Sequence, residues 1–268
     1  MKLSEIFKVA DDLAPKALSD EYCARYDAYD NSGILVDTGK EITKILFSLD
    51  FSLSAIEKAK EIGAELIITH HPAIYGKIDG IRSSELLGKK LVACIENGIS
   101  VLSMHLNLDC AVDGIDETLM QGVRLASGER SEWVEQVTVM HPLSSGGYGR
   151  AYAVKPCTAG ELLDGIKREF SMPKAIVYGG EKSIKKASSF CGAGADEEAL
   201  RFAKEVGADV IISADFKHHL IANALENGLA VVALTHYGSE NYGFKKYYEK
   251  ISRRIGVSCE YHEDTALI

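Results

Sequence analysis

Apolar residues along the chain change between two spacings, and these changes divide the sequence into predicted elements. Residues 3–13 have apolar side chains at helical spacing, and Pro15 is expected to end that helix. Short continuous apolar runs over 45–49, 66–69 and 99–104 are typical of buried strands. Helical patterns separate these runs, so the sequence predicts alternating strands and helices in a mostly parallel sheet with helices on its faces.

Turn and capping residues mark where the predicted helices begin and end. Ser54 and Glu57 have the spacing of a capping box, and Gly63 is expected to end the helix that follows. Thr158 and Glu161 have the same spacing in the middle of the chain. Both helices are therefore expected to begin at a hydroxyl side chain.

The middle of the chain, from about Glu132 to Phe190, shows a different pattern of strand pairs around one helix. Gly146, Gly147 and Gly149 have the composition of a phosphate-binding loop, but no helical pattern follows them. We therefore interpret this glycine run as the turn of a β-hairpin.

The last section of the chain repeats the first in a fixed register. At an offset of 144 residues, the helix and strand over 55–68 match 199–212 at many identical positions. At an offset of 130 residues, the turn Glu-Asn-Gly over 96–98 matches the same turn over 226–228. Chance similarity between two amphipathic segments explains such identical turns less well than two copies of one helix–strand–helix–strand unit.

The pattern thus predicts an α/β fold of two domains related by an internal repeat. We expect a first domain over residues 1–128 and a second over 129–268, with a C-terminal part that can pack back on the first. If the duplicated halves face each other across a pseudo-twofold axis, the ends of their strands would come together.

Ionisable side chains follow the predicted strands, where ligands gather in α/β sheets. His70 and His71 end the strand in LIITHHP, and His105 and Asp109 follow the next strand in HLNLD. Successive strand side chains point in opposite directions, so the two adjacent imidazoles would serve different ions unless the backbone turns. The alternative is that His-His-Pro only ends a strand, with rings that are solvated or bonded to backbone.

The second copy of the repeat has different residues at the same positions. Ala214 and Asp215 stand where the first copy has its paired histidines, and the following strand leads into THYGSE. His236 and Glu240 in this motif are four residues apart, so they would share one face of a helix that begins there.

Together these imidazoles and carboxylates form a candidate metal-binding set. Mixed ligation of this kind suits Zn, Mn, Fe or Co and has too many nitrogen ligands for Ca or Mg alone. Asp109 and Glu240 can bridge two ions, which a neutral imidazole cannot. A pair of ions can hold a water molecule, lower its pKa and orient it for attack on a substrate.

Composition narrows the possible partners. The formal net charge of −9 argues against a nucleic-acid footprint, which needs clustered Lys and Arg. The six cysteines include no CxxC pair, which is typical of reduced thiols. Charged residues interrupt the first fifteen positions and no later apolar run is long enough to span a bilayer, so we expect a cytoplasmic protein without a membrane partner.

The sequences DNSGILV, HHPAIY, HLNLD and THYGSE resemble, in that order, the four signatures of the Nif-three-like family, whose members are often labelled GTP cyclohydrolase I type-two homologues. The resemblance covers nearly the whole chain. It implies two interlinked α/β domains of the Nif-three-like fold, two divalent metal ions per subunit (Zn, Mn, Fe or Co) and commonly a toroidal homohexamer.

The resemblance also implies a role for each candidate ligand. His70 and His71 would bind one ion each, and Asp109 would bind one of the two ions. His236 would bind the other ion, and Glu240 would bridge the pair.

Two functions remain open at this point. The first is a metal-dependent hydrolase of a nucleotide or related small molecule. The family label implies GTP ring opening by attack of water on the purine C8, with Glu240 or His105 moving protons, although a phosphoester or amide hydrolase would use the same ligands. The second is a non-enzymatic metal-binding scaffold or regulatory assembly protein, which would close its ligand shell around the ions.

Four further histidines have weaker signals. His218 and His219 are expected early in a helix, where we favour a solvated or substrate-facing role over metal ligation. His141 and His262 have no partner visible in the sequence, so we interpret both as structural surface residues.

Overall fold

The protein is described by a computed structural model for residues 1–130 and 136–267. The chain divides into two compact units, of which the first comprises residues 1–111 and 244–267 and the second residues 112–243. The second unit is therefore inserted into the sequence of the first. The predicted start of the middle section at Glu132 falls outside the described residues.

The segment before the insertion alternates helices and strands. Its elements are α1 (Leu3–Leu13), α2 (Lys16–Tyr26), β1 (Gly33–Val36), β2 (Lys44–Ser48), α3 (Leu53–Ile62), β3 (Leu66–Thr69), α4 (Leu86–Asn97), β4 (Ser100–Ser103) and α5 (Leu106–Cys110).

The rest of the described chain contributes five helices and seven strands. Its elements are α6 (Ile115–Ala126), β5 (Thr138–Pro142), β6 (Gly147–Thr158), α7 (Ala159–Glu169), β7 (Ala175–Tyr178), β8 (Ser183–Ser189), α8 (Glu197–Glu205), β9 (Val210–Ala214), α9 (His218–Glu226), β10 (Ala230–Leu234), α10 (His236–Ser252) and β11 (Ser258–His262). The division between the units falls inside α10.

The two sheets differ in strand direction. The first unit has the order β1-β4-β3-β2-β11, in which only the β1–β4 pair is antiparallel. This sheet is mostly parallel, as the sequence predicts. The second unit has the order β5-β6-β8-β9-β10-β7, in which only the β8–β9 and β9–β10 pairs are parallel. The prediction of mostly parallel sheets is therefore wrong for the second unit. A short turn can join only antiparallel neighbours, and the β5–β6 hairpin has such a turn.

The observed units have different bounds from the predicted domains 1–128 and 129–268. Helix α6 belongs to the second unit, where it contacts α7, β6 and β8. Strand β11 pairs in parallel with β2 in the sheet of the first unit. An amphipathic helix shows in sequence that it has an apolar face but not which sheet that face covers, so the boundary before α6, between residues 111 and 112, had no local signal.

The internal repeat is visible in the elements and in the core. The order α3, β3, α4, β4 of the first unit recurs as α8, β9, α9, β10 in the second. Equivalent positions lie in the hydrophobic core of each unit, namely Ala55, Ala59, Ile67 and Val101 in the first and Ala199, Ala203, Ile211 and Val231 in the second. The repeated identities therefore encode the packing of each helix on its sheet.

The N-terminal caps of α7 and α3 can be compared with the predicted ones. Thr158 and Glu161 form the predicted capping box at the start of α7, with both reciprocal hydrogen bonds present. Helix α3 is instead capped by Ser52, whose side chain accepts a hydrogen bond from the Ala55 amide. The prediction of Ser54 as the cap is wrong because its hydroxyl lies within the first turn and hydrogen-bonds Ser52. Throughout the described ranges, every helix is too short or too polar to cross a lipid bilayer.

Candidate metal centre

The paired histidines of the first unit lie where the backbone leaves the sheet. The amides of His70 and His71 both donate to the carbonyl of Leu49, at 3.1 and 3.0 Å. Two successive amides that point to one acceptor require a turn, which removes the strict alternation of a strand. The two rings consequently lie side by side, with centroids 4.9 Å apart.

Each of these rings is held through its Nδ1 atom. His70 is fully buried and donates from Nδ1 to the Met104 carbonyl at 2.8 Å, while its Nε2 lies 3.5 Å from Asp109 Oδ1. His71 donates from Nδ1 to Asp50 Oδ1 at 2.7 Å. A ring that carries its proton on Nδ1 presents the lone pair of Nε2 to a ligand.

His105 stands at the start of α5 and pairs with a buried carboxylate. Its Nδ1 donates to Asp30 Oδ1 at 2.7 Å, and its amide donates to the Ser32 hydroxyl. Burial alone would raise the pKa of Asp30, but hydrogen bonds from His105 and from two serine hydroxyls outweigh it and lower that pKa well below its ordinary range. Asp30 is therefore an anion that fixes the tautomer of His105.

The three imidazoles of the first unit form one cluster. Potential ligand atoms of His70, His71 and His105 all lie within 4.8 Å of one another. His105 thus reaches the same cluster as the two predicted ligands, although the sequence assigns it to proton transfer. Its side chain is 19% exposed and that of His71 is 25% exposed, so small molecules can reach both rings.

The second unit has its own imidazole and carboxylate pair at the start of α10. His236 donates from Nδ1 to Asp215 Oδ2 at 2.6 Å, and its Nε2 lies 3.2 Å from Glu240 Oε1. Helix α10 begins at His236, so the two residues share one face, as their spacing predicts. Glu240 is buried at 3% exposure, whereas the His236 side chain is 35% exposed.

All four of these imidazoles have the same local geometry. Each donates from Nδ1 to a carboxylate or a backbone carbonyl, the acceptors being Met104, Asp50, Asp30 and Asp215. Metal-binding histidines almost always have such a partner, which orients the ring and makes Nε2 a better ligand. The donor set is rich in nitrogen and includes buried carboxylates, so it fits a transition metal or zinc better than Ca or Mg.

Three acceptors in this arrangement were missed in the sequence. Asp50 and Asp215 follow predicted strands and Asp30 precedes β1, but nothing in their spacing identifies the histidine that each one binds. Tyr75 flanks the paired histidines in the sequence, where it could either line a pocket or pack in the core. Its ring is 55% exposed and lies edge-on to His105, with centroids 6.2 Å apart.

The other histidines do not belong to the groups of potential metal ligands found among the described residues. His218 and His219 are exposed at the start of α9, which agrees with the expected solvated role. His141 is buried at 8% exposure in β5, with its Nε2 3.4 Å from Glu198 Oε2, so the surface interpretation is wrong for this residue. Its neighbours in the strand are partly exposed, and one inward position cannot be identified from so short a run. His262 is half-buried in β11 beside the Ser54 hydroxyl.

Comparison with known sequences gives a match along nearly the whole chain. A family model described as Duf34/NIF3 (NGG1p interacting factor 3) matches residues 1–264. A Clostridium perfringens protein named GTP cyclohydrolase 1 type 2 homolog is 34% identical over 266 residues, covering 97% of this chain and 95% of its own. A Methanocaldococcus jannaschii protein of the same name is 32% identical over 261 residues, covering 96% of this chain and 97% of its own.

Comparison with solved structures gives the same fold. Reduced HcgD from Methanocaldococcus jannaschii superposes with a TM-score of 0.79 and 30% identity, covering 97% of both chains. A Staphylococcus aureus protein superposes with a TM-score of 0.81 and 20% identity, covering 100% of this chain and 98% of its own. The second similarity concerns the fold alone.

Proposed function

The chain belongs to the Duf34/NIF3 family, and from that premise we propose that it is a metal-dependent hydrolase of a nucleotide or a related small molecule. The proposal assigns metal binding to His70, His71 and Asp109 in the first unit and to His236 and Glu240 in the second. The observation that carries it is the shared anchoring of the imidazoles through Nδ1, since structural histidines have no need of one common orientation.

Divalent ions at such residues would lower the pKa of an attacking water molecule and would polarise the bond that it attacks. The chain's own residues then have to move protons. His105 is suited to this role because Asp30 holds the proton on Nδ1, so Nε2 can accept a proton from water and later return it to the leaving group. Glu240 is the second proton carrier of the proposal, since one of its oxygens faces His236 Nε2.

A planar ring is the part of the substrate that the first unit can recognise. Tyr29 and Tyr75 are each about half exposed and contact each other edge to face, with centroids 5.5 Å apart. Exposed aromatic faces stack on nucleobases regardless of sequence. This supports the nucleotide class that the names of the relatives suggest, with GTP as the first compound to test.

The scaffold function also has an observation in its favour. His70, Asp109 and Glu240 are nearly inaccessible, as ligands in closed structural sites are. The partial exposure of His71, His105 and His236 favours a site that small molecules can enter, so we place the hydrolase first.

The test is a hydrolysis screen of nucleoside triphosphates, phosphoesters and amides with metal-loaded protein. We expect turnover that requires the metal and falls at least ~100-fold in the Glu240→Gln variant, the range expected for loss of a general acid or base. The control is His219→Gln, an exposed histidine of α9, which should keep full activity. Turnover that is metal-dependent but equal in Glu240→Gln would remove Glu240 from the mechanism. Absence of turnover on every substrate by a protein that retains its metal would favour the scaffold.

A homo-oligomer, a hexamer in the Nif-three-like resemblance, and a cytoplasmic location belong to the same proposal. Analytical ultracentrifugation tests the first, and fractionation of cells that express the protein tests the second. A monomer at micromolar concentration would contradict the proposed assembly.

A further inference from the structure

A buried ion pair in the second unit has no role in the mechanism above. Asp116 lies in α6 and Arg150 in β6, and both are almost inaccessible to solvent. The Arg150 guanidinium donates to Asp116 Oδ2. A buried ion pair costs desolvation energy that is often not recovered, so hydrophobic residues of the same volume usually stabilise a protein as well or better. The fold therefore does not explain by itself why the pair is there.

The Asp116 carboxylate also holds two backbone amides. Its Oδ2 accepts from the Gly149 amide at 3.0 Å, and its Oδ1 accepts from the Cys191 amide at 3.2 Å. Cys191 follows the end of β8, so the ion pair reaches the turn that leaves the sheet at this point. The charge-assisted bond to the Cys191 amide fixes that turn more strongly than a neutral bond would, and the bond to the Gly149 amide joins the same carboxylate to β6.

The turn formed by Cys191 and Gly192 is held at every backbone polar group. The Cys191 carbonyl accepts from the Tyr148 hydroxyl at 2.6 Å. The Gly192 amide donates to the Ser239 hydroxyl at 3.0 Å, and the Gly192 carbonyl accepts from the Ala214 amide at 3.1 Å. Ser239 lies in α10 between His236 and Glu240, and its hydroxyl donates to the His236 carbonyl. The turn is thus joined directly to the helix that carries the two proposed ligands.

The Gly192 backbone lies against the proposed ligand atoms themselves. Its φ of +55° is in the left-handed region, and a Cβ added there would lie 2.2 Å from Glu240 Oε1 and 3.3 Å from His236 Nε2. Any side chain at this position would displace the carboxylate. The turn therefore forms one wall around Glu240, and a small shift of the turn would change the space that the carboxylate occupies.

We propose that Asp116 and Arg150 are positioning residues that hold the Cys191–Gly192 turn against Glu240 and His236. The proposal rests on the proposed function for the role of those two ligands. The ion pair contacts neither the ions nor the substrate and acts through the Asp116 bond to the Cys191 amide. It fixes the Glu240 carboxylate in one orientation before a metal arrives, which reduces the reorganisation that binding requires.

The test compares Co²⁺ binding by the full-length protein and a double variant, Asp116→Leu with Arg150→Met. This variant removes both charges at similar volume, but it leaves the buried Gly149 and Cys191 amides without their acceptor, so its melting temperature is expected to fall. Binding is therefore measured at a temperature at which circular dichroism shows that the variant is folded. We expect its Co²⁺ dissociation constant, measured by calorimetry, to rise 10- to 100-fold, the range found for loss of residues that orient metal ligands. The visible absorption bands of the bound Co²⁺ should shift, because they report the geometry of the ligands.

A matched control and a milder variant make the test decisive. Asp209 also accepts two backbone amides, from Lys185 and Lys186, but these lie in the middle of β8 and not at the Cys191–Gly192 turn, so Asp209→Asn should leave the Co²⁺ affinity and spectrum unchanged. Tyr148→Phe removes the hydroxyl that donates to the Cys191 carbonyl and should weaken Co²⁺ binding by less than the double variant does. If the double variant fails to fold, the Co²⁺ affinity of Tyr148→Phe tests the proposal in its place.

The outcomes separate this proposal from the proposed function. Folded variants with wild-type Co²⁺ affinity and spectrum would refute the positioning role of Asp116 and Arg150 and leave the metal-binding function intact. An equal loss in Asp209→Asn would also refute it, because the effect would then be a general weakening of the sheet. A wild-type protein that binds no Co²⁺ would refute the proposed function itself, and the positioning role with it.

Discussion

The two copies of the helix–strand–helix–strand repeat have the same core but exchange their ionisable residues at the strand ends. The position after β3 holds His71, whose Nδ1 donates to Asp50 at 2.7 Å. The equivalent position after β9, 144 residues later, holds Asp215, which accepts from Nδ1 of His236 at 2.6 Å. Each unit thus contains an imidazole–carboxylate pair, but the repeat supplies the imidazole in one unit and the carboxylate in the other.

This exchange shows which parts of the repeat can vary independently. Ala55 and Ala59, which pack α3 on its sheet, recur as alanines in α8, and Ile56 recurs as Leu200 of similar volume, because a change of volume there costs stability. The strand-end positions lie outside that packing, so their chemistry can change without loss of the scaffold. What both units keep is a ring oriented through Nδ1, which is the arrangement a metal requires.

Loss of a ring is the largest expected change in either unit. His71→Ala and His236→Ala each remove a proposed ligand and should weaken Co²⁺ binding more than ~100-fold, beyond the effect of losing an outer partner. Calorimetric titration measures both values. If one variant bound Co²⁺ as the wild type does, the unit that carries it would not take part in metal binding, and the comparison of the two units would fail.

Loss of the carboxylate partner should have a smaller and equal effect in the two units. Asp50→Asn and Asp215→Asn keep the shape of the acceptor but remove its charge, so each should weaken Co²⁺ binding ~10-fold, the lower end of the range for outer partners. The same titration gives both numbers. A large effect at one position and none at the other would show that the exchanged pairs are not functionally equivalent.

The pair formed by His105 and Asp30 distinguishes the two units, because the second copy has Thr235 at the position equivalent to His105. Asp30→Asn should lower the free energy of unfolding by ~2 kcal/mol at neutral pH, since the carboxylate accepts several hydrogen bonds. The lowered pKa of Asp30 means that its stabilisation is complete above the ordinary value of 3.8 and declines as the pH falls towards the folded value.

Urea unfolding at several pH values tests whether the stabilisation by Asp30 declines as the pH falls. The difference between the wild type and Asp30→Asn should be constant at neutral and mildly acidic pH and should shrink below a pH of about 3.8. A difference that grows on acidification would mean that Asp30 is protonated in the folded protein.

The smallest expected effects concern the helix ends that both copies share. Gly63 and Gly207 have φ values of +69° and +67°, and nothing lies within 4 Å of a Cβ added at either position. Gly63→Ala and Gly207→Ala should therefore each cost ~1 kcal/mol of stability, from backbone strain alone. Chemical denaturation measures both. Unequal costs would show that the two copies differ in their backbone as well as in their strand ends.

Local patterns predicted the parts of this molecule that depend on neighbouring residues. The hairpin turn and the capping box of α7 followed from spacings of a few residues, and the repeat followed from identical local segments at fixed offsets. The contact between His236 and Glu240 followed in the same way from one helical turn. The backbone turn at His70 and His71 did not, because it depends on the Leu49 carbonyl, which follows the end of β2.

Long-range pairings were beyond a single sequence. Asp30 reaches His105 across 75 residues, and Asp116 reaches Cys191 across the same separation, without any pattern that links them. The antiparallel edges of the second sheet and the burial of His141 likewise depend on which strands become neighbours. Sequence periodicity gives the face that an element buries but not the element that covers it.

The central claim is that the imidazoles and carboxylates of both units exist to bind divalent metal ions. Elemental analysis of the protein after loading and exhaustive dialysis tests it most directly, with Glu240→Gln and His71→Ala measured beside the wild type. The account predicts about two ions of Zn, Mn, Fe or Co per wild-type chain, in line with a paired site, and fewer in each variant. A wild-type chain that retains no ion, or variants that retain as many as the wild type, would contradict it.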